Sequence, residues 1–335
     1  MENDRKIMLL DNSEPMVPVS LEQKQELAEL REHFNHVILE LMDTNTFNLF
    51  QVYPETDNLD ELYNQLTDLK KCLDSFRPFN PAQVQHLREI FDTEYTYESN
   101  AIEGNSLTLS ETQDVLKHGL TIAGKPMKDH LEAINHQEAI EYLHDLVSSE
   151  TPFSERALLN LHEIILRGID RENAGRFRRN EVFIIERGGK RHNFPKARMV
   201  FKLIEDYIIF FEENKSSMHP VKLSAQLHHR LVNIHPFIDG NGRTARLAMN
   251  LILQQAGYPI TILESEHAKR YAYYDALTEF HKTGDYASFE LLISQYVKKW
   301  CFEYLDILSG DISEHNEDKG YYYFKKIEPF LPKAK

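Results

Sequence analysis

The sequence predicts a mainly helical protein that carries one small β-hairpin. Apolar residues recur at spacings of three and four along most of the 335 residues, the period of one helical face. Glycine and proline, the residues that interrupt helices, number only 13 each. Between residues 175 and 200 the texture changes. A β-branched and aromatic run is followed by Gly188-Gly189, then by a second short run ended by Pro195, which is a hairpin signal in an otherwise helical chain.

Residues 1–20 are polar, with Pro15 and Pro18, and are expected to be loose. From 21 to about 50, charged and apolar positions alternate as on a surface helix. A second helix covers about 58–76 and ends before Pro78. Residues 79–83 form a turn and helix start, and the helix runs on through Glu103. Gly104-Asn105 stops it, because both residues tolerate the left-handed cap position. Thr108 and Glu111 have capping-box spacing and open the next helix, which Gly119 closes. Residues 124–129 read as a loop, 130–147 as a helix, and another helix begins near Ser154. After the hairpin, helical patterning resumes from Phe201 to about Glu213 and again from Val221. A polar stretch at 309–320 reads as a linker, and the aromatic tail after it should pack on something. No repeat of fixed period is present. The chain divides into an N-terminal helical region 1–90, a central domain 91–300 and a C-terminal tail 301–335.

Hydrophobic residues make up 41% and charged residues 27%, a globular composition. With 38 basic and 53 acidic residues the formal net charge is −15, which opposes general binding to a nucleic-acid backbone. Cys72 and Cys301 form no CxxC pair and suggest no disulfide framework. The N-terminal residues lack a signal-peptide pattern, and no apolar run reaches bilayer length. No membrane partner is expected, and the cytoplasm is the expected location.

The chemistry concentrates between His235 and Arg246, in HPFIDGNGRTAR. Leu223, Leu227, Leu231 and Ile234 make one apolar helical stripe that ends where this stretch begins. Pro236 breaks the helix, and Arg243 to Gln255 resumes the pattern before a stop at Gly257. Gly240-Asn241-Gly242 therefore sits in a tight loop leading into a helix N-terminus. Such an end offers free N–H groups and a positive dipole to an anion, and two glycines allow close approach. Arg243 and Arg246 can supply bidentate donors to further phosphate oxygens. Asp239 would repel phosphate unless Mg²⁺ sits between them. His235 titrates in the range a general base needs. The combination describes a triphosphate site with chemistry.

These residues resemble the Fic family signature, HPFx(D/E)GNGRxxR, at every specified position. Ser99-Asn-Ala-Ile-Glu103-Gly-Asn105 resembles the family's inhibitory helix, (S/T)xxxE(G/N), here N-terminal to the core at about 91–104. The stretch 176–197, with its hairpin at about 182–195, resembles the target-docking flap. Tyr273-Tyr274, followed by Gly284-Asp285, resembles the segment beside the adenine. The resemblance covers roughly residues 95–300 and implies an all-α Fic fold with a small hairpin flap. It also implies an enzyme that transfers AMP from ATP to a Tyr, Thr or Ser hydroxyl of a protein docked on the flap. His235 would be the base, Asp239 would hold Mg²⁺, and the loop N–H groups with the Asn241 side chain would stabilise the α-phosphoryl group. Arg243 and Arg246 would hold the β- and γ-phosphates, and Glu103 would inhibit by occupying Arg246.

Two other readings stand beside this one: removal of AMP at the same site, with Glu103 positioning water, and a non-catalytic ATP-responsive interaction module. A different donor, such as phosphocholine or another nucleotide, is a further variant. Oligomeric state is open, with a homodimer through core or tail as one alternative. Residues 119–126 approach a Walker A loop but lack its final Ser or Thr. His162 reads as a packed core histidine, and His228-His229 as structural. Arg176, Arg178 and Arg179 read as a solvated run before the hairpin. Tyr321 to Tyr323 read as packing or dimer-contact residues before self-modification sites.

Overall fold

A computed structural model describes residues 52–185, 189, 191–310 and 320–330. The N-terminal helix expected at 21–50 and most of the expected linker lie outside the described residues. The architecture is helical with one antiparallel two-stranded sheet, and the chain divides into two compact units, residues 88–297 and residues 1–87 with 298–335. No described helix is long and apolar enough to cross a membrane.

In the second of these units, α1 (Leu59–Asp74) starts where Asn58 accepts from the amides of Asp60 and Glu61. The tail helix α11 (Tyr321–Ile327) packs on it through a Phe76–Tyr323 ring contact of 5.6 Å and a 3.0 Å Lys326–Asp68 ion pair. This is the packing role expected of the tail.

The 88–297 unit carries the site. Helix α2 (Pro81–Ile102) ends in the expected cap, with Gly104 at φ +96°. Helix α3 (Leu109–His118) opens on the full capping box and closes on left-handed Gly119. Helix α4 (Met127–Ser148) begins earlier than the expected 130. Pro126 supplies an extended entry, and Asp129 in the first turn suits the positive end of the dipole. Helix α5 (Glu155–Ile165) starts at Ser154, whose hydroxyl accepts from the Ala157 amide.

Strands β1 (Phe183–Ile185) and β2 (Arg191–Asn193) pair with Phe183 opposite Asn193 and Ile185 opposite Arg191. Helices α6 (Val200–Asn214), α7 (Pro220–Ile234) and α8 (Asn241–Gln255) follow. Then come α9 (His267–Thr283) and α10 (Ala287–Gly310), the last reaching into the stretch expected to be linker. Helices α7 and α8 form a tight pair, and α8 also packs on α4 and α5. Surrounded in this way, α8 buries every residue from Arg243 to Leu253. The corner between α7 and α8 is thus the most constrained part of the unit, and it carries the motif.

Candidate active site

His235 is the C-terminal cap of α7 and one of two described non-glycine residues with positive φ, at +49°. Its amide donates to the Leu231 carbonyl at 3.0 Å and so ends the helix. Its Nδ1 lies 3.2 Å from the Val232 carbonyl. A carbonyl only accepts, so Nδ1 carries the proton and Nε2 is left as the basic nitrogen. The ring stacks on Phe194, with centroids 3.8 Å apart and planes at 15°. Burial pushes the imidazole pKa down to about 4, Arg178 adds to this, and the hydrogen bond to Val232 opposes it. At neutral pH the ring is therefore uncharged and able to accept a proton.

The loop after His235 is braced by side chains that turn inward. Asn241 accepts from the Phe237 amide at 2.9 Å and donates to the Phe237 carbonyl at 3.0 Å. Its amide group faces the loop backbone, so its visible part in the site is to hold shape, in place of the outward role the resemblance implied. Gly240 has φ +79°, and an added Cβ would stand 3.1 Å from Ile165 Cδ1, so both backbone and space call for glycine there. Asp239 Oδ1 accepts from the Gly240 amide at 2.6 Å, and the carboxylate is half exposed. Oδ2 lies 4.0 Å from Lys128 Nζ.

The first amide of α8 with a backbone acceptor is that of Thr244, bonded to the Gly240 carbonyl at 2.9 Å. The amides of Asn241, Gly242 and Arg243 precede it and, as at any helix start, have no intrahelical acceptor. Glu103 lies across this end. A Cβ built on Gly242 would fall 2.3 Å from Glu103 Oε1 and 3.2 Å from Arg246 Nη1. The same Oε1 accepts from Arg246 Nη2 at 2.7 Å. Arg246 also donates from Nε to Ser99 Oγ at 2.9 Å and from Nη2 to the Ser99 carbonyl at 2.8 Å. Ser99 and Glu103 are one helical turn apart, so one face of the α2 terminus holds the guanidinium. Burial would lower the Arg246 pKa, but the Glu103 carboxylate reverses this and drives it upward. Nη1 is buried with no partner among the described residues.

Arg243 is also buried. Its Nη1 donates to Glu132 at 3.0 Å, its Nη2 lies 3.5 Å from Asp239, and its Nε has no partner among the described residues. Glu132 in turn accepts from Asn105 at 3.0 Å, which ties the end of the SNAIEGN string to Arg243 as well.

Three residues outside the sequence expectations shape the loop. His162 is fully buried, as expected of a core histidine, but it also works on the site. Its Nδ1 accepts from the Gly175 amide at 3.0 Å, its Nε2 donates to the Asp239 carbonyl at 3.0 Å, and its ring stacks on Phe237 at 3.6 Å. Arg178 is not the solvated charge its neighbours suggested. It is 2% exposed and donates to main-chain carbonyls on both sides of the hairpin and at His235. Glu132 is the third. One histidine, one arginine and one glutamate among many give no local pattern that would single them out.

Tyr273 and Tyr274 part company. Successive helical residues face different ways, and Tyr273 is 3% exposed with its hydroxyl 3.3 Å from His228 Nε2. It lines the interior beside Arg246 and presents no open face for a base. Tyr274 is half-buried and donates to the Ile102 carbonyl at 3.2 Å, against the helix that bears Glu103. The hairpin leaves Phe183, Ile184 and Ile185 exposed at 50%, 42% and 60%.

Mg²⁺ binds through one or two carboxylates and completes its shell with phosphate oxygens and water. The half-exposed carboxylate of Asp239 fits that mode. Among the described residues no group of three or more His, Cys, Asp or Glu is placed to hold a metal ion.

Residues 152–253 match the family model described as Fic/DOC family. The protein adenylyltransferase Fic of Drosophila willistoni is 29% identical over 320 residues, which span 91% of this chain and 62% of that protein. The one of Drosophila persimilis is 31% identical over 290 residues, spanning 85% and 55%. The chain thus covers about three-fifths of the length of these relatives. Among solved structures, a Fic-domain-containing signaling protein from Bacteroides thetaiotaomicron superposes with a TM-score of 0.67 at 26% identity, over 75% of this chain and 98% of that one. Fic-1 of C. elegans gives 0.65 at 26% identity, over 87% and 88%. The signature corner between α7 and α8, the helical frame around it and these likenesses agree, and the chain belongs to the Fic/DOC family.

Proposed function

We propose that this protein transfers AMP from ATP to a hydroxyl side chain of a target protein, and that Glu103 holds it in a restrained state. The observation that carries the proposal is the pairing of a neutral base with an anion-binding helix end. His235 Nε2 is free to accept a proton because Nδ1 is committed to Val232. A few residues on, the amides that open α8 face the space where Glu103 now puts a carboxylate.

In the active arrangement, the acceptor hydroxyl gives its proton to His235 Nε2 as its oxygen attacks the α-phosphorus in line. The bond to the pyrophosphate oxygen breaks, and pyrophosphate leaves with the bonding pair. The α8 amides donate to the α-phosphoryl oxygens, where each such donor contributes about 3–4 kcal/mol to a charged transition state. Arg246 Nη1, buried and without a partner among the described residues, is a ready donor for a terminal phosphate oxygen. Asp239 would hold Mg²⁺, which when bound supplies positive charge to the phosphate chain. The exposed β1 residues and the open hairpin edge suit a target segment added as a further strand.

Removal of AMP is the second reading. Glu103 is about one-third exposed and close enough for its charge to act on His235, so it could orient a water at the same site. The test is transfer of label from ATP marked at the α-phosphate. Label on protein that is lost in His235→Ala, with none from ATP marked at the γ-phosphate, supports the proposal. Loss of AMP from a pre-modified target, without forward transfer by any Glu103 variant, favours removal. No covalent change with ATP bound sinks both and leaves a nucleotide-responsive module.

A further inference from the structure

Resting on the transfer reading above, we propose that Arg178 is a positioning residue that clamps the hairpin root to the backbone of His235, so that the docking element and the base are held as one piece. Arg178 is 2% exposed. It makes no ion pair with a carboxylate among the described residues, and its donors go to main-chain carbonyls. Nε donates to His235 at 2.7 Å, Nη1 to Asn180 at 2.9 Å, and Nη2 to Pro195 at 2.5 Å with Ile234 at 3.5 Å. Its own amide donates to the Pro236 carbonyl at 2.8 Å.

The carbonyls fall in two sets. Asn180 precedes β1 and Pro195 follows β2, so the first set is the two legs of the hairpin. Ile234, His235 and Pro236 are the second set, at the turn out of α7. Only a planar fork with donors on several edges reaches both sets, and an ammonium on a flexible stem does not reproduce it. The clamp lies where precision is needed. His235 holds a left-handed backbone that non-glycine residues adopt at a cost on the order of 1–3 kcal/mol. Its ring stacks on Phe194, the residue just before the Pro195 carbonyl that Arg178 grips. Main chain and ring of the base are thus referred to the hairpin through one guanidinium. A target strand seated on the hairpin would arrive in register with Nε2. The cation also sits near the imidazole and favours its neutral form.

The experiment compares Arg178→Lys and Arg178→Ala with the parent chain, each also in the Glu103→Gly background, and uses two readouts. The first needs no activity: the His235 ring resonances in histidine-labelled protein, which carry the ring-current shift of the Phe194 face. The second is transfer kinetics. The expected result is melting within a few degrees of the parent, loss of most of that ring-current shift, a fall in kcat of about a hundredfold from misplacement on the order of 1 Å, and a KM for ATP changed less than about threefold. Added ethylguanidine should restore part of both readouts in Arg178→Ala. Unchanged His235 resonances with unchanged kcat overturn the proposal. So does a collapse in melting with normal kcat per folded molecule, which would make Arg178 a packing residue. If Glu103→Gly itself transfers nothing, the transfer reading fails, and the ring resonances still decide whether the clamp exists.

Discussion

Replacing Glu103 with glycine should release the restraint, and its size follows from the contacts. Glu103 makes one charge-assisted hydrogen bond, 2.7 Å from Oε1 to Arg246 Nη2. Such bonds contribute about 1.5–3 kcal/mol. The carboxylate side chain is 34% exposed, and water screening pulls the figure towards the lower half, to about 2 kcal/mol. A triphosphate that needs Arg246 and the α8 amides must displace this contact, and about 2 kcal/mol corresponds to roughly 30-fold. The crowding at Gly242, where the carboxylate oxygen stands in the space a Cβ would take, adds to that figure. The initial rate of label transfer from α-marked ATP should rise at least about 30-fold in Glu103→Gly and vanish again when His235→Ala is added. Glu103→Gln keeps volume but loses charge, and should fall between. Equal rates in parent and Glu103→Gly, within about twofold, with the double variant inactive, would refute the restraint while leaving His235 as the base.

Asp239→Asn keeps an acceptor for the Gly240 amide but removes the charge, so the loop should hold. Transfer should fall about 10²–10³-fold, since metal-borne charge contributes several kcal/mol, and calorimetric ATP binding should lose its dependence on Mg²⁺. Gly240→Ala forces φ +79° on an L residue and brings Cβ to 3.1 Å from Ile165, which should cost about 1–3 kcal/mol in denaturant melts. Transfer should be flat from pH 6 to 8 and fall only as pH drops through about 4, where His235 takes up its proton; an inflection near 6.5 would place the base elsewhere. Stability carries the matching sign. His162 has its folded pKa depressed to about 4, chiefly by burial, so between about 4 and 6.5 the unfolded chain binds the extra proton. That contribution is fully present above 6.5 and lost as pH falls towards 4, and the melting temperature should drop across that window.

The fold was legible where its signals are local. Thr108 with Glu111, Ser154 and Gly104 each act within a turn, and each marks the helix end expected of it. The motif was legible for the same reason, since twelve consecutive residues build the corner. The two tyrosines show the limit of that reading. Neighbours on a helix point in different directions, and Tyr273 turns inward to His228 while Tyr274 meets Ile102.

The braces were illegible because their partners are neither near in sequence nor specified by side chain. Arg178 reaches a carbonyl 57 residues away, and His162 one 77 residues away. Every residue has a carbonyl, so no pattern of residue types announces such a pair. In a run of Arg176, Arg178 and Arg179, composition favours solvent for all three, and only the closure of the hairpin against α7 takes Arg178 inside. The same physics explains why the site can be both rigid and restrained. The loop is held by His162, Asn241 and Arg178, none of which a nucleotide must displace. The restraint is a single carboxylate on Arg246, a buried arginine with a free donor among the described residues. Removing Glu103 should therefore leave the loop geometry intact, whereas removing a brace should harm the base without touching the restraint.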